Sequence, residues 1–179
     1  TSFNSARDEW IVTGKIIDVY ENLEFGEEPP DVSCELCEHE KLRWQFEIHN
    51  EKNNNTMLVG SSCIDKFNIK YIKNGRLLSP EDRKNDLNNQ IQKIISDRKY
   101  EQGLISLRSL YKASKEERDV ITRIGKFFKR NKKLEPWMAV YISHRMEETR
   151  IDYQPIYYKI HLRDAYLKDS VREMKEDDF

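Results

Sequence analysis

No stretch of this 179-residue chain approaches the ~18 consecutive apolar residues that a membrane-spanning helix needs. Glycine and proline are sparse, at six and five, so long Gly- or Pro-rich linkers are excluded and each turn must be marked by few residues. A Gly-rich phosphate loop, a serine nucleophile elbow and a His-Glu-x-x-His pair are all missing. These gaps remove the common signatures of nucleotide hydrolases, α/β-hydrolases and zinc proteases. Cysteine is also scarce: there are three, an odd number that does not suit a disulfide framework. No charged-then-apolar leader is visible, although the first residue is Thr1. A reducing, cytoplasmic location is therefore the expectation.

What is present is charge. Residues 1–62 hold 5 Lys+Arg against 13 Asp+Glu, residues 63–163 hold 23 against 13, and residues 164–179 hold 3 against 6. The formal net charge of −1 thus hides an acidic beginning, a basic middle and an acidic tail. Such a chain can present a basic face to a polyanion despite its near-neutral balance. The length suits one domain, or a small module fused to a helical one.

The first half reads as β structure. Trp10 to Tyr20 is rich in β-branched residues, and Gly14 in its interior signals a bulge or a close backbone approach. An acidic loop with Gly26, Pro29 and Pro30 follows. From Leu42 to Asn50 apolar and polar residues alternate, with Leu42, Trp44, Phe46 and Ile48 on one face. Glu51–Asn54 supplies a turn and Thr56–Gly60 the return strand. With Asn50 facing Asn55, Ile48 meets Met57, Phe46 meets Val59 and Trp44 meets Ser61 on the apolar side, so register and hydrophobic pattern agree.

A short helix is expected after Cys63, and Asn74-Gly75 then breaks the chain. The remainder reads as helical. Ser79-Pro80 starts one helix, with Leu87, Ile91, Ile94 and Ile95 at helical spacing, and a second carries Leu104, Leu107, Leu110 and Tyr111. Ser114-x-x-Glu117 matches a capping box and opens a third. Glu135-Pro136 opens a fourth, in which Trp137 is expected in the core. Residues 156–163 read as one late strand and 164–175 as a terminal helix.

Cys34 and Cys37 form a Cys-x2-Cys knuckle, and Cys63 falls where the return strand gives way to the short helix. Knuckle, hairpin, helix is the order of a treble-clef zinc module, in which two thiolates come from the knuckle and further ligands from the first helical turn. The position three beyond Cys63 is Lys66, which is no ligand while protonated. His39 and His49 are the nearby substitutes for a fourth ligand. The hairpin register puts His49 about seven residues from the level of Cys63, over ~20 Å away at ~3.3 Å per residue, so His39 is preferred, with water as the fallback. Three thiolates and a neutral imidazole suit a structural Zn2+ ion. The plainer alternative is three reduced thiols packed as small apolar residues.

Nine cations form the candidate nucleic-acid contact: Lys66, Lys70, Lys73 and Arg76 after the third cysteine, and Lys126, Lys129, Arg130, Lys132 and Lys133 around a helix end. Favourable interaction with a helix dipole accounts for Lys129 and Arg130 but not for the whole run. Lys159, His161 and Arg163 would extend this surface. His144 with Glu147 and Glu148 is the nearest thing to acid–base equipment, and that spacing is common on solvated helices, so no enzyme is expected.

The segment Cys34-Glu35-Leu36-Cys37, then Leu42-Arg43-Trp44-Gln45-Phe46-Glu47-Ile48, then Val59-Gly60-Ser61-Ser62-Cys63-Ile64-Asp65-Lys66-Phe67, resembles a pattern of uncharacterised phage and mobile-element proteins of bacteria. In these a Cys-x-x-Cys-Gly knuckle precedes Val-Gly-Ser-x-Cys-Ile-x-Lys-Phe. The chain departs from it with Glu38 at the glycine position. Tyr158-Lys159-Ile160-His161-Leu162-Arg163 is similar to a strand near the ends of such proteins. The resemblance spans about half the chain and implies a zinc-ribbon-like module without any activity to transfer.

Together these readings predict an α+β protein. Residues 1–74 form a zinc-binding, treble-clef-like β module, and residues 75–179 form a mainly helical region with one late strand and an acidic tail. The expected function is zinc-dependent, non-enzymatic nucleic-acid binding. The alternative is a protein-interaction factor that docks on a host or phage machine, and neither involves a membrane.

Overall fold

A computed structural model describes residues 7–21 and 28–160. The chain is α+β. It forms two compact units, residues 1–93 and 94–179. The expected boundary at 74 falls inside the first of these.

In the first unit β1 (Trp10–Asp18), β2 (Trp44–Asn50), β3 (Thr56–Val59), β4 (Lys70–Lys73) and β5 (Arg76–Leu77) form one sheet, in the order β3-β2-β1-β4-β5. All neighbours are antiparallel except β1 and β4. A short helix, α1 (Ser61–Lys66), lies in sequence between β3 and β4. The β2–β3 register is the one that the alternation demands: Phe46 pairs with Val59, Ile48 with Met57 and His49 with Thr56. The ladder ends at Val59, where the chain turns into α1, so Trp44 and Ser61 are not partners. Phe46, Ile48 and Val59 are fully buried with Val12, Cys34, Cys63 and Ile64. Each large apolar side chain so buried contributes ~1.5–3 kcal/mol.

Gly14 meets both expectations for it. The β1–β2 register shifts between Val12 and Ile16, and Gly14 sits at φ +87°. A Cβ there would lie 3.1 Å from the Tyr71 hydroxyl on β4. Asn74-Gly75 is a tight hairpin turn, not a break. Both residues have positive φ, which is what a two-residue turn joining twisted antiparallel strands requires, and β4 and β5 flank them.

β3 is an edge strand, and the knuckle seals it. Glu35 donates its backbone N–H to the Leu58 carbonyl at 3.0 Å, and the Leu58 N–H donates to the Glu35 carboxylate at 2.6 Å.

One helix, α2 (Pro80–Ala113), replaces the two expected over this stretch. It begins as predicted, with the Ser79 hydroxyl accepting the Asp82 N–H at 3.1 Å. It runs through Gly103 because the rings of Phe128 and Tyr158 pack against the bare Cα there. Arg83 is buried and bonds Ile69 O at 2.6 Å and Asp65 Oδ1 at 3.1 Å, tying the start of α2 to α1 and to the residue that precedes β4.

In the second unit α3 (Arg118–Asn131) and α4 (Pro136–Glu148) follow. The predicted capping box does not form. Ser114 is buried and ends α2 through its N–H to Leu110 O, and α3 starts after Glu117 without a side-chain cap. The Glu117 carboxylate is held elsewhere, by the Tyr141 hydroxyl at 2.9 Å and by Arg145 at 2.5 Å. Ile121, Ile124 and Phe128 of α3 pack with Met138, Ala139, Ile142 and Met146 of α4, and with Leu107, Leu110 and Tyr158. Trp137 is 56% exposed rather than in the core, because α4 buries the face of Met138 and Ile142 and turns Trp137 and Val140 outward. Of the expected late strand, Pro155–Tyr157 is a 3-10 turn and Ile160 makes one isolated bridge with Leu134. Residues 161–163 and the predicted terminal helix lie outside the described residues. Among the described residues no helix is long and apolar enough to cross a membrane.

Candidate metal centre

The three cysteines are brought together. The Cys63 sulfur lies 3.2 Å from that of Cys37 and 3.6 Å from that of Cys34, and all three lie within 4.8 Å of one another. Tetrahedral ligation with Zn–S bonds of about 2.3 Å separates sulfurs by about 3.8 Å, so this cluster is close enough to hold a metal ion. Cys34 and Cys63 are buried and Cys37 is exposed.

Local backbone geometry builds the site. Cys34 N–H donates to His39 O at 2.9 Å, and Glu38 N–H to Cys34 O at 2.7 Å, which closes the knuckle. Glu38 takes φ +59°, the left-handed conformation that glycine adopts without steric cost. Gly60 N–H points at the Cys34 sulfur at 3.4 Å. Burial opposes ionisation of Cys34, but the N–H groups of Gly60, Leu36 and Cys37 outweigh it and hold the thiol below its ordinary value. Cys63 is pushed up to about 12, by burial and then by its two sulfur neighbours. Three thiolates this close repel one another, and a dication among them removes that penalty.

His39 is not part of the mutually close set of ligand atoms, but it lines the same cavity. His49 pairs with Thr56 and Ile11 at the turn end of the hairpin. The cavity, of about 430 Å³, is also lined by Lys41, Arg43, Trp44, Ser61, Ser62 and Lys66. Of these only Lys66 is a candidate binding residue from the sequence. The signal for Arg43 was there, since it alternates with the apolar residues of the hairpin, but only the fold brings the knuckle loop's Lys41 beside it.

The nine predicted nucleic-acid cations divide between the units, with Lys66, Lys70, Lys73 and Arg76 in the first and the other five in the second. Several are already engaged. Lys73 pairs with Asp86 at 2.5 Å, Arg76 with Asp82 at 4.0 Å and Lys132 with Asp97 at 3.3 Å. Lys70 donates to Asp8 O at 3.1 Å, and Lys66 lies over the Phe67 ring. Lys126, Lys129, Arg130 and Lys133 make no ion pair among the described residues, and all but Lys133 belong to α3. Lys159 is bonded to Ser96 Oγ at 3.2 Å. His161 and Arg163 lie outside the described residues. His144 sits exposed beside Glu148, which also pairs with Arg145.

Comparison with protein-family models, curated proteins and solved structures gives no match.

Proposed function

We propose that the first unit is a zinc-stabilised, treble-clef-like module and that the protein binds nucleic acid through the cations at the end of α3. The observation that carries the reading is the convergence of the three sulfurs from a knuckle and a helix start. Knuckle, β2–β3 hairpin and α1 supply these ligands in treble-clef order. His39 completes the set from the cavity wall, giving three thiolates and one imidazole, a donor set suited to a closed structural Zn2+ site. The nucleic-acid part is carried by Lys126, Lys129, Arg130 and Lys133, whose charges no acid of the described chain neutralises. Binding of this kind is made to phosphate, independent of base and dependent on salt.

Elemental analysis of protein purified without chelator tests the metal. One equivalent of zinc is expected, retained in His49→Ala and weakened in His39→Ala. Equal retention in both variants makes water the fourth ligand, and loss in His49→Ala alone refutes the ligand set. Gel retardation with duplex and single-stranded probes tests the second part. Reversing Lys126, Lys129, Arg130 and Lys133 to Glu should abolish binding. Neutralising them one at a time should lower the salt slope by about 0.9 on duplex DNA for each phosphate that no longer meets a cation. No retardation of either probe by the wild type at low salt refutes it.

A second reading, a protein-interaction factor, is favoured by one observation. Trp137 and Val140, one helical turn apart on α4, are 56% and 71% exposed, and tryptophan is over-represented in protein–protein interfaces. Nuclease-insensitive capture of a partner, abolished in Trp137→Ala, is its test.

A further inference from the structure

We infer that the cavity beside the three cysteines is an oxyanion subsite of the phosphate class. Its charge runs against that of the segment that builds it. Residues 1–62 carry 13 carboxylates and only 5 basic side chains, yet two of those five, Lys41 and Arg43, line this cavity, and none of the carboxylates among the described residues does. Lys66 joins them from the last turn of α1, and Ser61 and Ser62 join from its first. Among the described residues the lining therefore includes two lysines, an arginine and two serines beside the cysteines, with no acidic residue.

The cations are not equally committed. Arg43 is committed: it pairs with the buried Asp18 at 3.4 Å and lies over the rings of Tyr20 and Trp44 at 5.6 and 5.2 Å. Lys41 makes no ion pair among the described residues, and Lys66 rests over the Phe67 ring at 5.8 Å without an acidic partner there. The Ser61 and Ser62 hydroxyls have no hydrogen-bond partner among the described residues. A tetrahedral oxyanion suits such a wall, since its several oxygens accept from separate donors. Three thiolates around a dication carry one net negative charge, and Lys41 and Lys66 together exceed it. The source of the phosphate is either a free anion or one phosphodiester of a polynucleotide strand. The subsite does not depend on the α3 cations.

The test uses the 179-residue chain, zinc-loaded and isotope-labelled. Titration with inorganic phosphate should shift the amides of residues 41–43 and 60–63 saturably, while those of α3 and α4 stay in place. Lys41→Gln with Lys66→Gln should weaken that binding by about tenfold. A short oligothymidylate that shifts the same amides, and still does so after the α3 cations are reversed, assigns the subsite to a strand phosphate. Shifts with inorganic phosphate alone assign it to the free anion. Absence of a saturable shift in the wild type with either probe overturns the inference. So does a double variant that binds phosphate as tightly as the wild type. Lys41 and Lys66 would then only balance the thiolate charge, and loss of zinc from the double variant would be the mark of that role.

Discussion

Gly103 and Gly125 make a matched pair of substitutions whose outcomes should differ in sign. Both lie inside helices of the second unit, where replacing glycine by alanine gains about 1 kcal/mol of helix propensity. At Gly125 a Cβ meets nothing within 4 Å, so Gly125→Ala should stabilise by most of that amount. At Gly103 the Cβ would lie 3.1 Å from Phe128 Cε1, 3.1 Å from Tyr158 Cε1 and 3.2 Å from Phe128 Cζ. Neither ring has room to retreat. Phe128 is fully buried, with ring centroids of Tyr100 and Tyr158 at 5.2 and 5.3 Å, and Tyr158 is held by its hydroxyl to Gly103 O at 3.1 Å. Overpacking of this kind costs about 1–3 kcal/mol, so Gly103→Ala should come out between neutral and about 2 kcal/mol destabilised. Urea unfolding followed by helical circular dichroism measures both variants. With a slope of about 2 kcal/mol/M, their midpoints should differ by about 0.5–1.5 M. If Gly103→Ala is as stabilising as Gly125→Ala, the reasoning that the rings dictate this glycine fails.

Three further outcomes are expected. Cys63→Ser should abolish metal retention and speed amide exchange across residues 10–73 far more than in α3 and α4; uniform acceleration would argue that the cysteines are ordinary core residues. Arg83→Ala should destabilise the first unit by about 1–3 kcal/mol, chiefly because the Ile69 carbonyl loses a buried charged donor, and thermal melting that shows no change would refute this. Glu38→Gly should relieve the left-handed strain in the knuckle, worth up to about 1 kcal/mol, and slow zinc loss to a chelator; faster loss would mean that the Glu38 side chain supports the site.

The β2–β3 hairpin was legible because its period is two and one face is buried, so that a slip of one residue would have put Phe46 and Ile48 in water. The starts at Ser79-Pro80 and Glu135-Pro136 were legible because a serine cap and a first-turn proline are local signals. The continuity of α2 was not, since what carries it through Gly103 is Phe128 and Tyr158, distant in sequence. Glu117 misled for the same reason: Tyr141 and Arg145 outcompete the cap. β4 and β5 were missed although Asn74-Gly75 is a strong hairpin signal, because two short strands beside it gave little alternation. The three-cysteine cluster was visible as spacing. The neutralisation of Lys73, Arg76 and Lys132 was not, because pairing with Asp86, Asp82 and Asp97 depends on where helices lie.

The pairing of Glu35 with Leu58 gives the knuckle a role in solubility. An uncovered edge strand offers hydrogen-bonding groups to any passing chain, and β3 is the hydrophobic sequence Thr56–Val59. Glu35 occupies both outward groups of Leu58, its N–H with a carboxylate and its carbonyl with a main-chain amide, as a neighbouring strand would. Because Glu35 sits between Cys34 and Cys37, whatever fastens those two thiols also fastens this stopper. If a metal ion is what fastens them, its removal should make the chain self-associate before it unfolds, growing by sheet extension from β3.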